Sequence, residues 1–489
     1  MAKKDRNEIG DEGSQAAELV RIALKNGEVF MAPDGQAYIR WTVGGRQEVW
    51  ALGQRRFKEA LSAWYMKHRK RVPNSGALND AISVLSGLAA QAEGPFAVQT
   101  RVGEANGRIY VDLCNTERDL VAVSAGSWRL LKRSPVRFRR ARGMLALPRP
   151  ERGGSIRSLR GYLNVATEHD FILVVGWLLA SLRPRGPFPV LVLCGEAGSA
   201  KSTSTRVLRT LVDPNEAPIR SAPHEVRDLM VAAANGRMVV FDNISRLPPW
   251  ISDALCRLAT GGGFSKRENY TDMEEVLINV QRPVILNGID EMVTRGDLMD
   301  RSIVLNLPRI CEQDRRTEDE FWREFEAEQP KILGALLDGV ARALRDIDST
   351  TLPAPPRMAD FATWAFAGLP GVGLDSQAFL EAHGLNLTTA SQTVLDASPV
   401  GRYLQAFAEG EGFRGPAHEL LDKLNKEASD GDRRHWGWPR SPLQLANSLR
   451  RLAPVLARIG VVVRTGNREG KTGERIITIR TTERAAYDD

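Results

Sequence analysis

A lysine followed by two hydroxyl residues, Lys201-Ser202-Thr203, closes a run of small residues, Gly195-Glu196-Ala197-Gly198-Ser199-Ala200. Small residues let backbone N–H groups turn inward around a phosphate. The lysine can bridge β- and γ-phosphates, and a serine hydroxyl can coordinate Mg²⁺. The apolar run Val190–Cys194 before the loop reads as a buried strand, and Ser204–Leu211 after it as a helix. The helix N-terminus adds its positive dipole. Strand, loop and helix together are the setting that G-x-x-x-x-G-K-[ST] requires. Residues 195–203 are therefore expected to bind ATP with Mg²⁺. One position departs from the pattern: Ala200 stands where glycine is usual, and a right-handed backbone there would tolerate the methyl group.

Further along, Met238–Phe241 reads as a second buried strand and ends in Asp242-Asn243. A carboxylate at the C-terminal edge of a strand is where α/β proteins place ligand groups. Asp242 is expected to complete the Mg²⁺ shell with Ser202; the alternative is an ordinary strand-end aspartate. Asn243 occupies the place where many ATPases carry glutamate. An amide can position a water but cannot take its proton. Glu196 and Glu225 are the other candidates for that base. A third apolar strand, Pro283–Leu286, ends in Asn287, which can bond a γ-phosphate or the attacking water. Arg301, after Asp297 and Asp300, is a candidate arginine finger acting on a neighbouring subunit's nucleotide. Arg295 competes for that role, and a salt bridge of Arg301 to Asp297 or Asp300 is the structural alternative. The catalytic set is thus Lys201, Asp242, Asn243, Asn287 and Arg301.

In order and spacing, residues 190–307 resemble the AAA+ P-loop ATPases, and among them helicase superfamily III. The Walker A loop is Gly195–Thr203, Walker B is Val239–Asn243, sensor 1 is Ile285–Asn287, and Asp300-Arg301 ends the series. Between Walker B and sensor 1 lies Cys256-Arg-Leu-Ala-Thr260-Gly261-Gly-Gly-Phe264-Ser-Lys266-Arg267-Glu-Asn-Tyr270. It is similar to the family's loop that grips DNA in a ring channel. Three glycines permit a tight, mobile turn. Lys266 and Arg267 supply phosphate contacts, and Phe264 and Tyr270 offer stacking faces; a surface hairpin with routine charge is the alternative. The resemblance implies a DNA helicase or translocase in the replication of phages, plasmids or integrated elements. It also implies a homo-oligomeric ring, expected as a hexamer, that hydrolyses ATP at subunit interfaces and acts on single-stranded or forked DNA. A P-loop switch in signalling or defence, assembling with protein partners, is the competing function. A small-molecule kinase is a third reading, with no visible acceptor site.

The elements that must position these groups divide the 489 residues into four. The fold class is α/β. A mixed α+β domain with an arginine-rich arm spans 1–150, the ATPase core with a parallel sheet 151–315, a helical lid or linker 316–397, and a winged-helix-like domain 398–489. In the first, Tyr38–Val43 and Glu48–Leu52 flank a Gly44-Gly45 turn, a hairpin signal. Residues 129–160 carry eleven Arg and Lys against Glu151 alone. They read either as a solvated connector or as a phosphate-contacting arm. The longest apolar run, Phe171–Leu182, is too short to span a membrane, which takes about 20 residues. It reads as a buried helix against the sheet that follows. In the last segment, Leu443, Leu445, Leu449, Leu452 and Leu456 form the stripe of an amphipathic helix. A basic hairpin bearing Arg464, Arg468, Lys471 and Arg475 follows it. His435-Trp436-Gly437-Trp438-Pro439 reads as a packing corner. Four isolated cysteines suit a reducing cytosol and a cytoplasmic protein without structural zinc. The net charge of +7 permits a nucleic-acid partner.

Overall fold

In the computed structural model, residues 14–43, 46–245, 247–262, 264–267, 275–278, 280–288, 295–469 and 474–482 are described. They form two compact units. The first gathers 1–124, 128–149 and 263–278; the second gathers 125–127, 150–262 and 279–489.

In the first unit, strands Gly27–Met31, Ala37–Val43 and Arg46–Ala51 form an antiparallel meander. Helices Gln15–Asn26, Arg55–Arg69 and Ser75–Gln91 cover it, with Leu19, Trp41, Trp50, Phe57 and Leu85 in the shared core. A second sheet holds Val102–Ala105, Arg108–Asp112, Leu120–Ser124 and Ser127–Leu131 in that order. The Leu120–Ser124 strand gave no signal as a separate element in the sequence. The arginine-rich stretch is not a loose connector. Arg140 pairs with Asp112 at 2.7 Å, Arg149 with Asp119 at 2.6 Å, and the Arg137 guanidinium lies 3.7 Å from the centre of the Phe96 ring. The partners come from elsewhere in the chain, so the local charge count overstated the free cations.

The second unit is built on strands β1 (Val190–Cys194), β2 (Val239–Ile244), β3 (Val284–Gly288) and β4 (Ser302–Asn306). All run parallel in the spatial order β2-β3-β1-β4. Strands covered on both faces become continuous apolar runs, and every residue of β1 and β3 is buried. Helix α1 (Glu168–Ser181) opens with a capping box between Thr167 and Asp170. Phe171–Ser181 are all buried. This helix is enclosed by helices rather than resting on the sheet alone. Gly176 lets the Phe379 ring approach so closely that a Cβ would meet it at 2.8 Å. Phe379 belongs to α4 (Ser376–Asp396), which lies in one layer with α2 (Glu318–Asp346) and α3 (Ala359–Gly368). The Pro- and Gly-rich 352–400 region is thus largely helical.

The C-terminal part of this unit runs α5 (Gly401–Glu409), β5 (Phe413–Pro416), α6 (Ala417–Glu427), a short turn Asp430–Arg434, α7 (Pro442–Arg458), β6 (Val461–Glu469) and β7 (Glu474–Thr481). The strands form an antiparallel sheet in the order β5-β7-β6. β5 was not anticipated from its short Phe-Arg-Gly-Pro sequence. Helix α7 buries Leu445, Leu449, Leu452 and Leu456 as its spacing required, but Leu443 at its start is 70 % exposed. Among the described residues no helix is long and apolar enough to cross a membrane.

Candidate functional site

β1 delivers the chain to residues 195–200, which turn before a helix spanning Lys201–Val212. That helix begins three residues earlier than its apolar pattern suggests, so Lys201 and Ser202 stand on its first turn. Gly195 and Gly198 have φ of +144° and +83°. A Cβ at Gly195 would lie 2.6 Å from the Leu307 carbonyl oxygen, so no side chain fits there. Ala200 has φ of +56° and ψ of +30°. The expected right-handed backbone at this position is therefore corrected. Left-handed geometry costs an L-residue on the order of 1 kcal/mol or more, and glycine would avoid that cost.

Lys201 directs its ammonium into the loop. It donates to the carbonyls of Gly195 and Glu196 at 2.6 and 2.7 Å and lies 3.2 Å from Ser199 Oγ. The loop is braced from outside by Asn164, whose amide donates to the carbonyls of Ser199 at 3.0 Å and Pro308 at 2.6 Å. The Ile310 N–H also bonds the Gly198 carbonyl at 3.2 Å. Asn164 carried no signal in the sequence, because it is 35 residues from its partner and in no motif.

Asp242 meets Ser202 across the sheet edge: Ser202 Oγ lies 3.1 and 3.2 Å from the two carboxylate oxygens. The β2–β3 register slips between Phe241 and Ile244. One extra residue is accommodated there, as in a β-bulge, a device that re-aims side chains beside functional sites. Asn243 takes the strain with φ of +55°. Asparagine tolerates this region several-fold better than most residues, which supplies a physical reason for an amide where an acid was looked for. The Asn243 N–H donates to Asn287 Oδ1 at 2.9 Å, and Asn287 Nδ2 donates to Thr205 Oγ1 at 3.1 Å. Asn287 is fully buried and ties β2, β3 and the helix after the loop together. The start of β2 is set by Asp213, which accepts the N–H groups of Arg237 at 2.8 Å and Met238 at 3.2 Å. Burial, with Arg282 nearby, pushes the Arg237 guanidinium down to about 9. Of the other acids considered, Glu196 is exposed and Glu225 is an exposed residue preceding helix Val226–Asn235.

Arg301 is not in this cluster. It precedes β4, whose Ser302 is level with Val190, whereas the loop leaves β1 after Cys194, level with Asn306. Five residues of strand separate the two ends by roughly 16 Å at about 3.3 Å per residue. Neither anticipated salt bridge forms. Arg301 Nη1 donates to the Asp297 carbonyl at 2.6 Å, and its buried Nε has no partner. Asp300 is held instead by Arg357 at 2.9 Å and by Arg458 at the end of α7. Arg295 pairs with Asp253 and Asp297.

Strands Phe264–Arg267 and Glu275–Ile278 form the expected antiparallel hairpin, with Arg267 opposite Glu275. Tyr270 lies outside the described residues, as do the side chains of Phe264, Lys266 and Arg267. Arg468 and Lys471 of the basic hairpin share that position. A cavity of about 360 Å³ belongs to the first unit. Among its lining cations, Arg118 pairs with Glu48 and Arg140 with Asp112.

The cluster fits a magnesium nucleotide. Positive φ at Gly195, Gly198 and Ala200 bends the loop tightly, and loops of this kind can turn backbone N–H groups toward an anion. The hydroxyl of Ser202 and the carboxylate of Asp242 are the hard oxygen donors that Mg²⁺ takes.

Residues 156–380 match the family model described as the actinomycete integrative conjugative element replication protein, and residues 400–487 match the RepA C-terminal domain of the same elements. No curated protein matches the sequence. Among solved structures, the chain is similar to the A form apo structure of the NrS-1 C terminal region at 12 % identity, covering 95 % of this chain and 99 % of that one, with a TM-score of 0.40. A second apo structure of that region, residues 305–718, is similar at 13 % identity over 96 % and 100 % of the two chains, with a TM-score of 0.39.

Proposed function

Because residues 156–380 and 400–487 match models of the replication proteins of actinomycete integrative conjugative elements, we propose that this chain is such a protein and the ATP-driven motor of that replication. In this reading it is an AAA+ P-loop ATPase of the superfamily III type, a DNA helicase or translocase that works as a hexameric ring on single-stranded or forked DNA. The observation that carries the proposal is the meeting of the 195–203 loop with Asp242 through Ser202, at the C-terminal edge of a parallel sheet.

Residues 195–203 cradle the triphosphate, with Lys201 exchanging its loop carbonyls for phosphate oxygens. Ser202 and Asp242 would hold Mg²⁺, which when bound would supply charge neutralisation for phosphoryl transfer. Asn287, through the Asn243 backbone, keeps the strand end in place beside the phosphates. Asn243 orients the attacking water. Arg301, about a strand length from its own loop, serves the nucleotide of the adjoining subunit, which is what a head-to-tail ring provides. The hairpin with Phe264, Lys266, Arg267 and Tyr270 grips the strand, and the C-terminal domain is a winged helix.

The test is ATP turnover with and without single-stranded DNA. The wild type is expected to be stimulated by DNA. Lys201→Ala should abolish turnover, and Lys266→Ala/Arg267→Ala should keep basal turnover and lose the stimulation. Mixing Lys201→Ala with Arg301→Ala should restore turnover at the interfaces where an intact loop meets an intact arginine. ATP hydrolysis indifferent to DNA in every variant would favour a protein-assembly switch.

A further inference from the structure

The tryptophans of the 435–439 corner have opposite environments. Trp438 is 4 % exposed; its indole N–H donates to Asn425 at 2.9 Å and its ring meets Tyr403 edge-on at 5.6 Å. That half of the corner packs as expected. Trp436, two residues earlier, is 77 % exposed, more than any other large apolar side chain among the described residues. The two residues after it are tied back to His435. The Trp438 N–H donates to the His435 carbonyl at 3.0 Å, and the Gly437 N–H to His435 Nδ1 at 3.1 Å. Beyond the turn, Ser441 caps α7 and the Arg440 N–H bonds the Gln444 side chain at 2.7 Å. The indole keeps a tilted ring contact with His435 at 5.6 Å and exposes the rest of its surface to solvent, against the tendency of large aromatic groups to be buried.

Its surroundings select the partner. From His435 to Arg458 the chain contains no Asp or Glu; it contains Arg440, Arg450 and Arg451, and Arg458, which is paired with Asp300. Arg434 precedes this stretch, and Arg434, Arg440, Arg450 and Arg451 are exposed. A flat π face flanked in sequence by the exposed Arg434 and Arg440 suits an unpaired base flanked by phosphates. A duplex hides its base faces in the stack, so the complementary ligand is a single strand. We propose that Trp436 is a stacking platform for a base of single-stranded DNA, with Arg434 and Arg440 contacting the adjoining phosphates. This contact needs neither nucleotide nor a ring, so it stands apart from the motor reading above.

The test uses the full chain without nucleotide, carrying Lys266→Ala/Arg267→Ala to remove the hairpin's contribution, and a fluorescent oligothymidine of about 15 nucleotides. Trp436→Ala should weaken binding by roughly five- to a hundredfold, the range found for one base–aromatic stack. Trp436→Phe should stay within about threefold, since it keeps a π face. Arg434→Gln/Arg440→Gln should flatten the dependence of log Kd on log salt by about 1.4, at about 0.7 per single-strand phosphate contact. Irradiation of an oligonucleotide containing 5-iodouracil should attach it to the peptide bearing Trp436. Unchanged affinity in Trp436→Ala, attachment only elsewhere, or no single-strand binding by the parent would each overturn the proposal. A change in self-association with DNA affinity intact would do so too, by assigning the indole to a protein contact.

Discussion

Asn287→Ala removes two buried hydrogen bonds made by one amide. Its oxygen accepts the Asn243 N–H at 2.9 Å and its nitrogen donates to Thr205 Oγ1 at 3.1 Å. Both Asn287 and Thr205 are 0 % exposed, so water does not replace the lost partner. A buried polar group left unsatisfied costs about 1–3 kcal/mol. The Asn243 N–H retains Asp242 Oδ1 at 2.8 Å, which places its share at the low end. The Thr205 hydroxyl and the vacated amide volume bring the total destabilisation to about 2–4 kcal/mol. Urea denaturation of Asn287→Ala, Thr205→Ala and the double variant gives that loss and a coupling of about 1 kcal/mol between directly bonded residues. Under native conditions kcat is expected to fall on the order of a hundredfold, with nucleotide affinity nearly unchanged, because the Asn287 side chain bonds Asn243 and Thr205, outside residues 195–203. A stability within about 0.5 kcal/mol of wild type, or strict additivity in the cycle, would refute the reasoning.

Three further outcomes follow from particular contacts. Ala200→Gly removes left-handed strain of about 1 kcal/mol and returns most of it as unfolded-state entropy. Thermal unfolding should therefore be nearly unmoved, whereas Ala200→Val, β-branched at the same φ, should lower stability by about 2 kcal/mol and weaken nucleotide binding. Asp300→Asn leaves Arg357 and Arg458 without their buried carboxylate. Breaking a buried pair costs about 3–5 kcal/mol, but these arginines are 45 % and 24 % exposed. After screening, a loss of about 2 kcal/mol is expected by denaturant titration. His383, between the Phe361 and Phe379 rings, is pushed down to about 4, first by burial and then by Arg458. Its folded form therefore binds a proton less readily than the unfolded form, whose imidazole titrates near 6.5. Stability should fall as pH drops from about 6.5 to about 4, by on the order of 3 kcal/mol. The slope of denaturation midpoint against pH should flatten in His383→Gln.

Short-range patterns in the amino-acid sequence determined the strand–loop–helix at 190–212, the apolar strands ending in Asp242 and Asn287, the hairpin at 264–278 and the stripe of α7. These depend on spacings of two to four residues, which alternation and helical periodicity expose directly. Other features depend on residues brought together from far along the chain. The backbone sign at Ala200 follows from how the loop seats against Leu307 and Asn164. The bulge that makes Asn243 left-handed comes from the register of β2 on β3, and the Asn287–Thr205 bond spans 82 residues. Arg137, Arg140 and Arg149 found carboxylates that composition alone could not assign to them. Trp436 and Trp438, near-identical in sequence context, were separated by which of them met Tyr403 and Asn425. Packing and register select among side chains that local chemistry leaves equivalent, so only the tertiary structure decided these points.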